Sequence, residues 1–464
     1  MRGGVVAASL LLAGTASAGG FYVPEIGARA TGMGVAVTSD VSDPSATFHN
    51  PAGLAHADGL QIELATDLFL PNITFFRRPL TDPNTGENLK FDGASNTNSV
   101  IAAPFLGASY RVHDKVTAGL AVFAPFGATL EWPEDGAQRQ VVTSISLKTI
   151  FASPSVGVKL PAGFSVGLAA NVIYGDLVLE QRNAIPYVTG DPEQYPDPAE
   201  GIEGNTHVEG KDPFSLGATI GLGWRNEQIA VGASLMTPVV LRLEGDARVE
   251  NMGIAPLVDQ NNNTLQAAGA REDQVRIRFP LPLIARLGVA VKPTKAWRIG
   301  ADVNWQRWET QKTLVVDFVN EHELLPTPGA YLYDVRVENR WKNTFSARLG
   351  AEATPLSAPV TLRAGVLYDQ SPVGDRNFSV LTPDSDKLGL TAGARYSYKT
   401  GSGDRWDFDL AAMHLFLAER DIAPAGDGSA GSDGTILNKP APSFFHGVTR
   451  AGFSLITLAV AWRH

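Results

Sequence analysis

The chain has 464 residues, 44% hydrophobic and 19% charged, with no cysteine and a formal net charge of -10. That balance excludes a disordered chain and a bundle of membrane helices; the missing cysteine excludes a disulfide framework, and the acidic excess argues against nucleic acid as a partner. The first residues read as an export signal: Arg2 supplies the positive charge, residues 5–13 are a short apolar stretch, and Ala16-Ser17-Ala18 is a small-residue cleavage site. That stretch is too short for a membrane anchor, which needs about 20 apolar residues. Residues 1–18 are therefore expected to be removed, leaving a chain that begins at Gly19 and, without Arg2, carries one positive charge less, or -11.

Residues 19–58 come next, rich in Gly, Ala, Ser and Asp and without alternation. Thr38-Ser39-Asp40 and Ser42-Asp43-Pro44 look like caps of short helices, with Pro44 where a first helical turn tolerates it. Such a segment does not suit a sheet. From residue 59 to 464 the pattern changes to strict period-2 alternation, repeated with turn residues between.

Three segments show the alternation best. In 60–70, Leu60, Ile62, Leu64, Leu68 and Leu70 oppose Gln61, Glu63 and Asp67. In 297–306, Trp297, Ile299, Ala301, Val303 and Trp305 oppose Arg298, Asp302, Asn304 and Gln306. In 334–349, Val335, Val337, Trp341, Phe345 and Leu349 oppose Asp334, Arg336, Glu338, Arg340, Lys342 and Arg348. Weaker copies near 98–110, 115–130, 146–158, 164–180, 213–224, 228–245, 272–291, 358–370, 386–398, 404–418 and 448–463 bring the expected number to about 14, an even number as in single-chain bacterial barrels.

A soluble β-sandwich alternates too, but many of these segments approach or exceed the roughly 9 to 11 residues that cross a bilayer at a tilt. The connections also alternate. Tight ones fall at 111–114, 160–163, 225–227, 292–295, 353–357 and 399–403; long ones at 77–97, 131–145, 181–212, 246–271, 317–330, 371–385 and 419–447. Short periplasmic turns and long extracellular loops produce that order, with both chain ends in the periplasm. The expected fold is an all-β transmembrane one, a 14-stranded antiparallel outer-membrane β-barrel with residues 19–58 as an N-terminal hatch inside the lumen. The polar faces are expected to line that lumen, and Trp132, Trp224, Trp297, Trp308, Trp341, Trp406 and Trp462 to form interfacial girdles.

The chain resembles the FadL/TodX outer-membrane transport proteins over essentially its whole length. The most specific part is the hatch: Gly20-Phe21, then Arg29-Ala30-Thr31-Gly32-Met33-Gly34-Val35-Ala36, then Asp43-Pro44-Ser45-Ala46-Thr47-Phe48-His49-Asn50-Pro51-Ala52-Gly53-Leu54. Asn50-Pro51-Ala52 corresponds to the family's hatch motif, and His49 stands where the family often has Tyr. Further patches agree in order and spacing: Leu243-Glu244-Gly245-Asp246-Ala247 after Pro238, residues 301–308, Trp341-Lys342-Asn343-Thr344, Leu362-Arg363-Ala364-Gly365, Ser371-Pro372-Val373 and Pro383-Asp384-Ser385-Asp386.

The resemblance implies passive uptake of hydrophobic compounds, long-chain fatty acids or small aromatic hydrocarbons, with no cofactor. It implies release through a kinked third strand, here Pro125-Phe126-Gly127, when the N-terminal Phe21-Tyr22 segment shifts. Proline donates no ladder hydrogen bond and glycine weakens a strand, so a break there is physically reasonable, as is a plain strand end. Leu324, Leu325, Phe444 and Phe445 lie in loops less polar than solvated loops should be and are expected to capture the ligand or to pack as a lid. The implied partners are the hydrophobic ligand, outer-membrane lipid and lipopolysaccharide, and the barrel-assembly machinery, around a monomer.

Enzymatic readings are weaker. Gly163-Phe164-Ser165-Val166-Gly167 matches the hydrolase elbow, which would make the chain an outer-membrane lipid hydrolase, but it runs on into a β pattern rather than a helix. His322-Glu323 lacks the second histidine of a zinc helix, and the eight histidines are scattered, so no metal site is expected. Arg276, Arg278, Arg286, Arg298, Arg340, Arg348 and Arg363 are read as lumen cations that meet a carboxylate headgroup or pair with lumen acids and hatch carbonyls.

Overall fold

The computed structural model describes residues 20–81, 88–98, 100–185, 202–251, 257–258, 264–265, 271–320, 335–355, 358–375, 378–422 and 446–464. It is a closed antiparallel barrel of fourteen strands. In chain order they are β1 (Leu60–Arg77), β2 (Ile101–His113), β3 (Val116–Phe123, resumed at Gly127–Glu131), β4 (Ser144–Lys159), β5 (Phe164–Ile185), β6 (Ile202–Arg225) and β7 (Ile229–Met236, resumed at Val239–Asn251). They continue with β8 (Arg271–Leu281, resumed at Ile284–Val291), β9 (Trp297–Gln306, resumed at Thr313–Phe318), β10 (Val335–Glu338, resumed at Thr344–Ala353), β11 (Val360–Asp369), β12 (Lys387–Lys399), β13 (Arg405–Leu417, resumed at Arg420–Ile422) and β14 (Gly447–Arg463). The wall closes where β1 pairs β14 from Gln61↔Arg463 to Arg77↔Gly447, so the first and last strands leave no open edge between them.

The outward face follows the alternation. Leu64, Val303 and Phe345 are 59%, 51% and 55% exposed, while Glu63, Asp302 and Ser346 beside them are buried in the lumen. A one-residue slip would put those polar groups into hydrocarbon, where a cation near the midplane costs roughly 2 to 4 kcal/mol.

The inward face departs from expectation, because apolar side chains replace polar ones along most strands above its periplasmic half. Along β1 it reads Gln61, Glu63, Asp67, then Phe69, Ile73, Phe75; along β13 it reads Asp407, Asp409, then Met413, Leu415; along β5, Ser165, Asn171, then Ile173, Leu177. The extracellular half of the lumen is therefore largely apolar, with Arg77, Asp273 and Lys387 as buried exceptions, and its apolar side chains pack as one continuous core with the start of the hatch.

Several strands change parity where they break. In β7 the inward residues are even-numbered below Thr237-Pro238 (Ala230, Ser234, Met236) and odd-numbered above it (Val239, Leu241, Leu243). The adjacent β8 breaks at the same height, with Met236↔Ile284 below and Val239↔Leu281 above. Arg286 therefore points inward, whereas Arg276 and Arg278, of the same parity but above Pro282-Leu283, point outward and are not lumen residues. Arg340 is exposed as well.

Three tryptophans leave the expected girdle: Trp132, Trp308 and Trp341 are buried in the interior, while Trp297 and Trp406 stay outside. Trp308 lies in the short turn Trp308–Thr310 that interrupts β9, and Trp341 in the gap that interrupts β10 after Arg340, whose φ is 45°. Trp308 continues the inward parity of Asn304 and Gln306, whereas Trp341 breaks the parity of exposed Phe345 and Leu349.

Residues 20–58 lie inside the wall as two short helices, α1 (Ala28–Gly32) and α2 (Ala46–His49), and a 3-10 turn, Pro51–His56. Asp43 caps the turn into α2, accepting from Ser45 N at 3.1 Å. Thr38-Ser39-Asp40 starts no helix; instead, Asp302 of β9 accepts from the backbone N–H of Val37 and Thr38 at 3.0 and 2.9 Å.

Candidate functional site: an apolar lumen and its N-terminal stopper

Inward-facing glycines let the hatch backbone lie against the wall. A Cβ at Gly167 would stand 2.1 Å from the Pro51 carbonyl carbon, at Gly221 2.2 Å from Asn50 Oδ1, and at Gly350 2.1 Å from Met33 O. These glycines align across strands as Gly157↔Gly167↔Gly221, Gly232↔Gly288 and Gly300↔Gly350↔Gly365, a seam that no side chain could share with the hatch.

Asn50 of the Asn50-Pro51-Ala52 motif fastens the hatch at this seam. Its Nδ2 donates to Thr38 O at 2.9 Å and to Leu222 O of β6 at 3.0 Å, and its Oδ1 accepts from Ala52 N at 3.1 Å. Pro51 begins the turn, where a missing N–H is not needed.

A charge network continues the attachment. Asp40 pairs with Arg298 of β9, Arg298 with Glu352 of β10 at 3.0 Å, and Glu352 with both Arg29 of α1 at 3.3 Å and Arg363 of β11 at 2.7 Å. Arg363 reaches Asp409 of β13 at 2.6 Å. Arg348 is held by Asp369 at 3.0 Å. Of the arginines read from sequence as lumen cations, Arg298, Arg348 and Arg363 therefore serve the seat.

Above the seat, the first residues of the hatch enter the apolar core. Tyr22 pairs antiparallel with Phe126; Gly127 N donates to Phe21 O at 2.9 Å, and Val23 N donates to Pro125 O at 2.8 Å. This segment occupies the interruption in β3. Thr149 of β4 holds the same point, its hydroxyl donating to Phe126 O at 2.6 Å. On the other side the β2–β3 ladder stops at Leu106↔Val122 among the described residues, so Ile101–Phe105 of β2 and the resumed part of β3 are not paired with each other.

Aromatic rings close around this stopper. Phe21 lies 5.3 Å from both Phe279 and Trp341; Tyr22 lies 5.4 Å from Phe126; Trp308 lies 5.2 Å from Trp341; and Phe48, Phe123 and Phe151 continue the chain of contacts. Sequence reasoning singled out Phe21, Tyr22 and Phe126 but not Phe48, Phe123, Phe151, Phe279, Trp308 and Trp341 in this cluster. The usable signal was an aromatic beside an interruption in the alternation.

Arg286 of β8 stands at the foot of the apolar lumen. It is buried, donates to Tyr22 Oη at 2.8 Å, Ser234 Oγ at 3.2 Å and Phe48 O at 3.4 Å, and lies over the Phe48 ring at 4.7 Å. No carboxylate pairs with it among the described residues. Two hatch groups nearby feel the same burial: desolvation raises Glu25 from 4.5 to about 7, and lowers His49, whose Nε2 bonds to Ile26 O at 2.8 Å, from 6.5 to about 3.

Ser165 is the second residue of β5 and is buried in the lumen, in a strand rather than at a strand-to-helix elbow. Leu324, Leu325, Phe444, Phe445 and His322-Glu323 lie outside the described residues, as do residues 1–19.

Comparison with known proteins agrees with this architecture. Residues 9–439 match the family model described as outer membrane protein transport protein (OMPP1/FadL/TodX). The chain is 22% identical over 419 residues to outer membrane protein P1 of Haemophilus influenzae, covering 84% of this chain and 85% of that one. It is 21% identical over 433 residues to the long-chain fatty acid transport protein of Escherichia coli, covering 89% and 92%. Among solved structures, a Pseudomonas aeruginosa FadL homologue superposes with a TM-score of 0.76 at 17% identity, covering 96% of this chain and 99% of that one. The Pseudomonas putida toluene transporter TodX superposes with a TM-score of 0.66 at 18% identity, covering 97% and 98%. The chain belongs to the FadL/TodX family and is a transporter of hydrophobic compounds in the Gram-negative outer membrane, not an enzyme.

Proposed function

We propose that the compound carried is a long-chain fatty acid, taken up passively through the apolar lumen and released sideways at the β2–β3 interruption when Phe21 and Tyr22 withdraw. The observation that carries this reading is Arg286, a buried guanidinium at the end of an apolar passage without an acidic partner among the described residues. An unpaired buried charge is costly, and a ligand carboxylate would relieve that cost while its tail fills the lumen. An uncharged aromatic hydrocarbon would leave Arg286 as it stands. The relatives divide the same way: the Escherichia coli protein is described as a long-chain fatty acid transporter and TodX as a toluene transporter.

Staging follows from magnitude. A buried CH₂ contributes about 0.8 kcal/mol, so a 16-carbon tail gains on the order of 12 kcal/mol in a dry pocket, too much for one deep site to release. A lumen already filled by its own apolar side chains and by the stopper exchanges contacts instead of opening a cavity.

The test is uptake by proteoliposomes of palmitate and of its methyl ester, with Arg286→Gln and Arg286→Lys. Palmitate uptake should fall at least roughly tenfold in Arg286→Gln, the scale of one charge-assisted contact, and recover in part in Arg286→Lys, with the ester unaffected by either. Equal losses for acid and ester would remove the headgroup role. Toluene uptake exceeding that of palmitate in the unaltered protein would favour the aromatic reading.

A further inference from the structure

A second binding surface lies on the outside of the wall. Arg242 of β7 stands directly opposite Arg278 of β8, both exposed on the outward face, with Arg276 two residues along. Like charges directly opposite each other in a sheet repel. Among the described residues neither arginine faces a carboxylate in register; the nearest outward acid on these two strands, Glu244, lies diagonal to Arg278. Glu244 and Asp317 are register partners of Arg276, not of Arg242 or Arg278. The Asp212 carboxylate below is taken by backbone and hydroxyl donors, Phe214 N, Ser215 Oγ and Arg242 N, rather than by a guanidinium.

The height of this pair is fixed by what lies beneath it. Outward residues nearer the periplasm on the same strands are apolar: Leu235 and Val240 on β7, Leu287, Val289 and Val291 on β8, and Phe214 and Leu216 on the adjoining β6, the last two each 61% exposed. The arginines come immediately beyond this band on the long-loop side, where the outer leaflet meets water. Arg307 and Lys312, in the interruption of β9, are also exposed, Arg307 paired with Glu309 at 3.1 Å, whereas across β4–β6 the outward charges compensate, Asp176 lying in register between Lys148 and Lys211. The facing pair of Arg242 and Arg278 thus has no carboxylate in register, and it sits over exposed hydrocarbon.

An anion that also carries hydrocarbon satisfies both halves of this surface. We propose that Arg242 and Arg278 bind a phosphate of an outer-leaflet glycolipid, the lipid A part of lipopolysaccharide, with its acyl chains lying on Phe214, Leu216 and Val240. Arginine suits phosphate because its planar fork presents parallel donors to two oxygens. One phosphate between Arg242 and Arg278 would turn cross-strand repulsion into a bridge and tie the two strands that share an interruption at Thr237-Pro238 and Pro282-Leu283.

The experiment is native mass spectrometry of the purified barrel in detergent, titrated separately with bisphosphorylated lipid A, with the same lipid lacking both phosphates, and with inorganic phosphate. The unaltered protein should retain the phosphorylated lipid at least roughly tenfold better than the dephosphorylated one. The double variant Arg242→Gln and Arg278→Gln should bring that ratio to about one, while Arg450→Gln, an outward arginine on β14 paired with Glu419, should leave it unchanged. Heat-modifiable migration checks that each variant folds; if the double variant does not, Arg278→Gln alone should still lower the ratio several-fold. A ratio near one in the unaltered protein, a ratio unchanged in the variants, or full displacement of the lipid by equimolar inorganic phosphate would overturn the proposal.

Discussion

Glu25 and His49 sit a few residues from the stopper, and burial moves them in opposite senses. Glu25 faces Arg348 of β10, Asp369 of β11, Lys387 of β12 and Asp67 of β1. With the hatch docked it holds its proton up to about pH 7, whereas a released hatch gives it up near 4.5, so docking is favoured at low pH and loses this contribution as pH rises from 4.5 through 7. His49 is neutral when docked and protonates near 6.5 when released, so its contribution is complete above 6.5 and is lost as pH falls toward 3. Between 4.5 and 6.5 the two slopes oppose each other. Relative to the unaltered protein, Glu25→Gln should therefore make hatch stability rise more steeply with pH between 4.5 and 6.5, and His49→Gln should make it fall more steeply over the same range. Hydrogen exchange of hatch amides, corrected for intrinsic rates, reads both; identical profiles in the variants and the unaltered protein would contradict the assignment. Neither behaviour was legible in the sequence, because an isolated Glu or His carries no sign of its burial until a wall closes around it.

Strands are where the sequence spoke most clearly and where its one systematic error arose. Alternation set the outward face of β1 and of Trp297–Gln306 in β9 residue by residue. It failed where a strand was read as continuous across Pro282, because a two-residue interruption reverses parity and sent Arg276 and Arg278 to the opposite face from Arg286. It failed again at Trp341, an aromatic beside a break, whereas Trp308 keeps the inward parity of Gln306 and only its place in a girdle was misread. The glycine seam was visible as glycines at intervals, but its meaning depends on which strands become neighbours. If the seam is what seats the hatch, Gly221→Val should dislodge it: the added atoms would meet Asn50 Oδ1 and Ala52 N, and such overpacking costs about 1 to 3 kcal/mol. A variant barrel that still migrates as folded should show steady ion conductance in planar bilayers, which the unaltered barrel should not. A silent barrel with full exchange protection at Asn50 and Ala52 would show that the hatch is held by other contacts.

At the scale of the molecule, the polarity of the lumen explains why the stopper sits where it does. The periplasmic half holds the hatch by charge and hydrogen bonds, and the extracellular half offers an apolar passage; the interruption of β3 lies where the two meet. A hydrophobic ligand descending the passage reaches a polar floor it cannot enter, with the bond pair between Phe21–Val23 and Pro125–Gly127 as the nearest breakable contact. Tyr22 and Phe126 are the non-hydrogen-bonded pair of that short ladder, since the bonds flank them, and such pairs have Cα atoms about 4.5 Å apart, within the range a disulfide spans. The chain has no cysteine to interfere. A Tyr22→Cys, Phe126→Cys double variant should therefore oxidise to a single bridge that locks the stopper in the wall. Palmitate uptake should stop under oxidation and return on reduction, with each single variant insensitive to the redox state. Transport that persists through the locked stopper would mean that the ligand leaves by another route, and the β2–β3 interruption would then be only the place where the hatch happens to be tied.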